Sequence, residues 1–286
     1  MGSVVITGAS TGIGRAIAEV LCASGHRVFA NVRRKEDAEG IEAALGQNCR
    51  AIRFDVRDDK AIADAAAAVA AELGDDGLDA LVNNAGIAVP GPIEHVPLAQ
   101  FRDQFEVNVV GVVAATQAFL PLLKTGGRGG RIVNISSISG TITYPFLGPY
   151  SASKFALEAL SDAMRRELAI AGIDVSVIQP GRFATPIWQK SDVAEGSVPD
   201  DSPYHGPLAA FEAAGSDGSD GMHPERIGHL VAEILASPRP RPRYRVTRSP
   251  MTQWLARRLS TRLLDRIMAR RLGMPAPGKR GGGGPG

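Results

Sequence analysis

Short runs of β-branched and other apolar residues alternate with longer helical stretches along most of this chain. The runs "SVVIT", "RVFANV", "RAIRFDV", "LDALVNN", "GRIVNISS" and "DVSVIQP" are each followed by a segment of helical character. Continuous apolar strands separated by helices predict a parallel sheet buried on both faces. "GRAIAEVLCASG" predicts the first helix, and "KAIADAAAAVAAEL", nearly all alanine, predicts one packed closely on the sheet. Two segments leave the alternation. Residues 186–222 are rich in Asp, Ser, Gly and Pro, and the chain after about residue 248 changes character again.

A chain of 286 residues with 44% hydrophobic content suits a soluble enzyme with a sizeable core. No apolar run reaches the roughly 18 residues a membrane span requires, and with the first strand expected from Ser3 no signal peptide is expected. Cys22 and Cys49 have neither redox nor zinc spacing and are read as reduced thiols. The five histidines (26, 95, 205, 223, 229) form no ligand pattern, so no metal is expected. These points favour the cytoplasm. Net charge is +2 but unevenly spread: residues 239–286 carry 13 Lys or Arg against the single Asp265, a net of +12, leaving −10 for the rest. A basic tail on an acidic globule follows.

The first strand runs into "TGASTGIGRA". Gly8, Gly12 and Gly14 lie on a strand-to-helix turn, where missing side chains let backbone amides approach a phosphate at a helix N-terminus. An ordinary glycine-rich turn is the alternative, but this one opens a βαβ unit, so dinucleotide binding is expected, with Ser10, Thr11 and Ile13 beside the glycines. At the end of the second strand, where a carboxylate would meet a ribose 2′-hydroxyl, the chain has Val32 and then Arg33 and Arg34. Two guanidiniums without an acid predict NADP(H), unless both are solvated loop charges. At "YSASK", Tyr150 and Lys154 stand four apart on one helix face, about 5–6 Å between Cβ atoms. A lysine beside a phenol helps it release its proton, which is useful where a general acid or base is needed.

"TGASTGIG", "NNAG" at 83–86, "NVVG" from Asn108, "ISS" ending at Ser137, "YSASK" at 150–154 and "PGRFAT" at 180–185 together resemble the short-chain dehydrogenase/reductase family, over roughly residues 3–248. The resemblance implies a doubly wound Rossmann-like α/β fold with about seven parallel strands, closed by "RYRVT" near 243–247 and followed by a C-terminal helical extension. It implies Tyr150 as the acid or base at the substrate oxygen, with Ser137 hydrogen-bonding that oxygen. Lys154 would hold the nicotinamide ribose and lower the tyrosine pKa, and Asn108 would bind a relay water. Bringing a phenol from about 10 to about 7 takes about 4 kcal/mol. One positive charge at about 4 Å in an effective dielectric of 20 supplies about that much. Asn83, Ala85 and Gly86 would border the adenosine, Asp55 and Val56 the adenine, and Pro180, Gly181 and Thr185 the nicotinamide. Asp55 as a helix cap is the alternative.

An NADP(H)-dependent oxidoreductase interconverting an alcohol and a ketone or aldehyde is therefore expected. A 3-oxoacyl-carrier-protein-type reductase and a non-catalytic NADPH sensor are the alternatives. Residues 1–248 form the expected NADP-binding domain, with 186–222 as a lid carrying Trp188. Thr143, Phe146 and Leu147 would add to the site wall, favouring a bulky lipophilic substrate of steroid, retinoid or long-chain type. A homo-oligomer, dimer or tetramer, is expected, with no dedicated nucleic-acid site. Residues 249–275 predict one basic amphipathic helix over 251–273, with Leu255, Leu259, Leu263 and Ile267 as its apolar stripe beside Arg258, Arg262, Arg266 and Arg270. Docking on the enzyme is the first reading, peripheral membrane contact the second and polyanion binding the third. The Gly-rich 276–286 is expected to be disordered.

Overall fold

The computed structural model describes residues 2–126, 129–187, 198–213 and 221–275. Seven strands build one sheet: β1 (Ser3–Ile6), β2 (Arg27–Val32), β3 (Cys49–Arg53), β4 (Ala80–Asn83), β5 (Arg131–Ile135), β6 (Asp174–Pro180) and β7 (Arg243–Val246). Their order is β3-β2-β1-β4-β5-β6-β7, and every neighbouring pair is parallel. The order reverses direction between β1 and β4, which opens a crevice at the carboxyl ends of those strands.

Why the strands are continuously apolar is visible in β1. Val4 and Ile6 enter a layer with α1 (Gly12–Ala23) and α8 (Glu225–Ala236), while Val5 enters the opposite layer with α3 (Asp59–Leu73) and α5 (Gly111–Thr125). Successive side chains point to opposite faces, so a sheet covered on both sides needs apolar residues at both. Each such buried Val or Ile contributes about 1.5–3 kcal/mol. Cys22 and Cys49 are both buried and both free thiols.

The expectation that no run is long and apolar enough to cross a membrane needs correction. The helical run Leu98–Thr125 joins α4 (Leu98–Phe105), one π-helical segment (Glu106–Val110) and α5, and by length and composition it meets that criterion. Polar Asn108, Thr116 and Gln117 interrupt it, which hides it from a search for unbroken apolar sequence. In this fold Phe119 and Leu123 lie in the core beneath the sheet.

The C-terminal extension also departs from expectation. It is two helices, α9 (Pro250–Ala256) and α10 (Thr261–Arg271), not one. Ser260 adopts extended backbone as the N-cap of α10, the position serine favours, and the helix breaks there. The break rotates the predicted stripe away from the body: Leu255, Leu263 and Ile267 are exposed, and the inward residues are Ala269, Leu272 and Met274. Leu272 and Met274 pack on Phe146, Val198 and Leu208. Within the expected lid, α7 (His205–Ala213) supplies Leu208 and Phe211 to the same cluster. Trp188, the rest of 188–197 and 214–220, and the tail 276–286 lie outside the described residues.

Candidate active site

The turn after β1 is shaped by what its glycines omit. Gly8 has φ +66°, and a Cβ there would stand 2.8 Å from Ala85 Cα. A Cβ on Gly14 would stand 2.3 Å from both the Gly8 carbonyl oxygen and Asn84 Nδ2. The turn is tied from two sides: Gly8 N–H donates to Asn31 Oδ1 at 3.0 Å, and Asn84 Nδ2 donates to the Gly8 carbonyl at 2.9 Å. It delivers the N-terminus of α1 to the crevice with no acidic residue in the first turn to compete for its amides. That end favours an anion.

A cleft of about 230 Å³ begins over this turn. Gly8, Ser10, Thr11, Gly12 and Ile13 line one end, and Ala85 and Gly86 line its side. Ser137, Tyr150 and Lys154 belong to the same lining, as do Pro180, Gly181 and Thr185, the last lying against Gly12. Gly14 lies one helical residue deeper, where its missing side chain makes room for Asn84.

The expected reactive group is assembled from two elements. Ser137 ends the loop after β5, and Tyr150 and Lys154 lie on α6 (Gly148–Glu167). All three side chains are buried. Ser137 and Tyr150 both face the cleft. Lys154 Nζ lies 5.8 Å from the centre of the Tyr150 ring and donates to the Ile135 carbonyl at 2.9 Å. Burial pushes the Tyr150 phenol up, with the Ser137 side chain opposing it. Burial pulls Lys154 down to about 8, opposed by the charge of Glu158 one turn on. The expected lowering of Tyr150 by Lys154 is therefore not seen in this geometry. Desolvation dominates at the phenol, while the lysine ammonium is turned toward a backbone carbonyl.

Asn108 sits in the π-helical segment, and its amide is committed to bracing. Its Oδ1 accepts from Ile87 N–H at 2.9 Å, and its Nδ2 donates to the Ile87 carbonyl and to Ser153 Oγ, each at 3.0 Å. Ser153 in turn donates to the Tyr150 carbonyl at 2.7 Å. Both amide hydrogens are thus spent on holding α6 against the strand-end loop.

Several expected contacts fall elsewhere. Asn83 points away from the cleft, buried, with Nδ2 donating to Thr116 Oγ1 at 3.1 Å and Asn134 Oδ1 at 2.9 Å. Its neighbour Asn84 lines the cleft instead. Asp55 and Val56 lie beyond the lining. Arg57 clamps the Asp55 carboxylate and holds it below the usual carboxylate range, while Val56 packs against Gly111. Arg33 is exposed, 4.0 Å from Asp55, and Arg34 is exposed and paired with Asp37 at 2.8 Å. Thr143 is exposed and outside the cleft. Phe146 and Leu147 are buried away from it; Phe146 is the one non-glycine with positive φ among the described residues, at 65°. Its ring meets Tyr204 and Phe211 edge-on, so it seats α7 rather than walling the cleft. The apolar lining comes instead from Ile135 and Phe183, which stand inside the "ISS" and "PGRFAT" motifs, and from Ile87 and Ile187, which lie outside every motif.

A glycine-rich turn at a helix N-terminus, sharing one cleft with a Ser–Tyr–Lys group, is the arrangement of a nucleotide-dependent oxidoreductase. The chain matches the family described as short chain dehydrogenase over residues 3–196, and it belongs to that family. It is 40% identical over 268 residues to the NADPH-dependent 3-dehydrocapnine reductase of Ornithobacterium rhinotracheale, covering 92% of this chain and 94% of that one. It is 31% identical over 265 residues to the 3-ketodihydrosphingosine reductase of Bacteroides thetaiotaomicron, covering 93% and 94%. The structure of a short-chain dehydrogenase from Streptomyces avermitilis superposes with a TM-score of 0.77 at 30% identity, over 94% of each chain.

Proposed function

We propose that the protein is an NADP(H)-dependent reductase that interconverts a ketone or aldehyde and its alcohol on a bulky lipophilic substrate. The observation that carries this reading is the burial of Ser137, Tyr150 and Lys154 together in the lining of one cleft that also takes in the start of α1. The glycine turn and helix end fit a pyrophosphate, and NADP(H), when bound, supplies or accepts the hydride. Ser137 and Tyr150 hold the substrate oxygen between two hydroxyls. Tyr150 delivers a proton to that oxygen in reduction, and charged Lys154 stabilises the phenolate left behind. Asn108 fixes α6 so that these groups keep their places.

The apolar lining by Ile87, Ile135, Phe183 and Ile187 supports a lipophilic substrate. The names of the two reductases reported above, for a 3-dehydro and a 3-keto compound, support a ketone. Screening NADPH oxidation across long-chain ketones, ketosteroids, retinal and small polar aldehydes tests the substrate class. Turnover of long-chain ketones is expected, and turnover of small polar carbonyls alone would contradict it. Free thiols at Cys22 and Cys49 support a reducing, cytoplasmic setting. Exposed Leu98 and Val110 on the α4–α5 run support a homo-oligomer.

Arg33 is the stronger candidate for the 2′-phosphate, since Arg34 already engages Asp37. Replacing both by Ala is expected to raise KM for NADPH by about 10- to 100-fold, with kcat and the NADH constants nearly unchanged. An unchanged NADPH constant would remove these residues from the site.

Reduction requires a protonated Tyr150 and a charged Lys154. With the phenol raised and the lysine at about 8, the falling limb of kcat/KM belongs to Lys154. The rate is expected to be level below that value and to fall about tenfold per pH unit above it. A profile level far into the alkaline range would contradict this. Linkage runs the same lysine the other way for stability. Its folded pKa lies below the unfolded value, so the native state binds fewer protons between about 8 and 10.5. The burial penalty is full below pH 8 and is relieved as pH rises to 10.5.

A further inference from the structure

The C-terminal helix pair has two sides with different partners, and only one side is satisfied within the chain. Its inner side is docked: Leu272 and Met274 pack on Phe146 and Leu208, and Gln253 Nε2 donates to Tyr144 Oη at 3.2 Å. Its outer side carries half of the exposed large hydrophobic side chains among the described residues. Met251 is 76% exposed and Leu255 53%, with Trp254, Leu263 and Ile267 also exposed. Interleaved with them are Arg257, Arg258, Arg262, Arg266, Arg270 and Arg271, all exposed, against the single Asp265. None of these six pairs with a carboxylate among the described residues. The Arg258 guanidinium lies 4.1 Å over the Trp254 ring, the pairing of an indole and a cation that suits an interface between apolar and charged layers.

We infer that the outer side of α9–α10 docks on the surface of an anionic phospholipid bilayer. Helices with Trp and Leu on one side and arginines beside them lie in the headgroup layer, their apolar groups below it and their cations at lipid phosphates. Two other occupants fit the same residues less well. A second copy related by a twofold axis would place the arginine set against itself with only Asp265 to offset it. A nucleic acid would meet the arginines and leave Met251, Leu255, Leu263 and Ile267 without a role. The pair rests on Tyr144 and Phe146, in the stretch that leads directly into Tyr150. The inference does not depend on the reductase reading, because α9 and α10 hold none of the cleft residues.

Sedimentation of the full chain with phosphatidylcholine vesicles, with or without phosphatidylglycerol, tests it. Two variants alter only exposed positions: Leu263→Ser with Ile267→Ser, and Arg262→Glu with Arg266→Glu. Binding to the mixed vesicles is expected, weaker at high salt, and at least about tenfold weaker in each variant, with circular dichroism unchanged. Failure to bind mixed vesicles, equal binding to pure phosphatidylcholine, or binding that both variants retain would overturn the inference. So would a concentration-dependent dimer in ultracentrifugation that the Leu263→Ser, Ile267→Ser variant abolishes, since the face would then belong to a second copy. The readout is binding and not turnover, so either result leaves the proposed reductase activity to its own test.

Discussion

Replacing Tyr150 by Phe is expected to lower turnover by about 10²- to 10⁴-fold while NADPH affinity stays nearly unchanged. The residue is buried at the start of α6, and the substitution keeps the whole ring, so no cavity opens beneath it. What disappears is one hydroxyl in the cleft that Ser137 also lines. Ser137 keeps its hydrogen bond, accepting from Ser139 N–H at 3.1 Å, so the loop after β5 should hold its shape. The loss therefore falls on proton delivery and not on the glycine turn. Steady-state kinetics beside a fluorescence titration with NADPH separates the two. A variant that turns over like the native protein would remove Tyr150 from the chemistry.

Replacing Gly14 by Ala is expected to produce the opposite pattern, with cofactor binding lost first. An added Cβ would lie 2.3 Å from the Gly8 carbonyl oxygen and from Asn84 Nδ2. The first is backbone and cannot swing aside. The second is held by bonds to the carbonyls of Thr7 and Gly8. The helix start must back away from the turn, spreading the amides that face the cleft. Overpacking of this kind costs about 1–3 kcal/mol in stability. NADPH affinity should fall by at least about tenfold as the anion site loses its alignment. Gly40 provides the control, since it lies within α2 (Lys35–Leu45) and a Cβ there meets nothing within 4 Å. Gly40→Ala should raise stability by about 0.5–1 kcal/mol and leave NADPH binding alone. Equal behaviour of the two variants in thermal melts and titrations would refute the account of the turn.

The first six strands were legible because a sheet covered on both faces writes itself as unbroken apolar runs, while the edge strand "RYRV", half polar, was expected from the family resemblance alone. The Ser–Tyr–Lys group was legible from motif and helical spacing together. Other features depend on geometry that spacing does not carry. Which of Asn83 and Asn84 faces the cleft is decided by the pleat at the end of β4, and a motif that contains both cannot choose. The position of Phe146 turns on one left-handed backbone angle, which moved it from the expected wall to the seat of α7. The pKa direction of Tyr150 hung on the lysine charge alone, whereas burial of the phenol is the larger effect and Lys154 donates to the Ile135 carbonyl. The C-terminal stripe failed because helical periodicity was carried through Ser260, where capping preference ends one helix run and starts another.

The most direct measurement of the central claim is the oxidation of bound NADPH by a long-chain ketone, with NADPH binding measured on the same protein preparation. The account predicts that the chain binds NADPH and oxidises it only when the ketone is added, in amounts matching the alcohol formed. Binding of NADPH with no oxidation by any carbonyl offered would contradict it and would leave a nucleotide-binding protein without the reductase step.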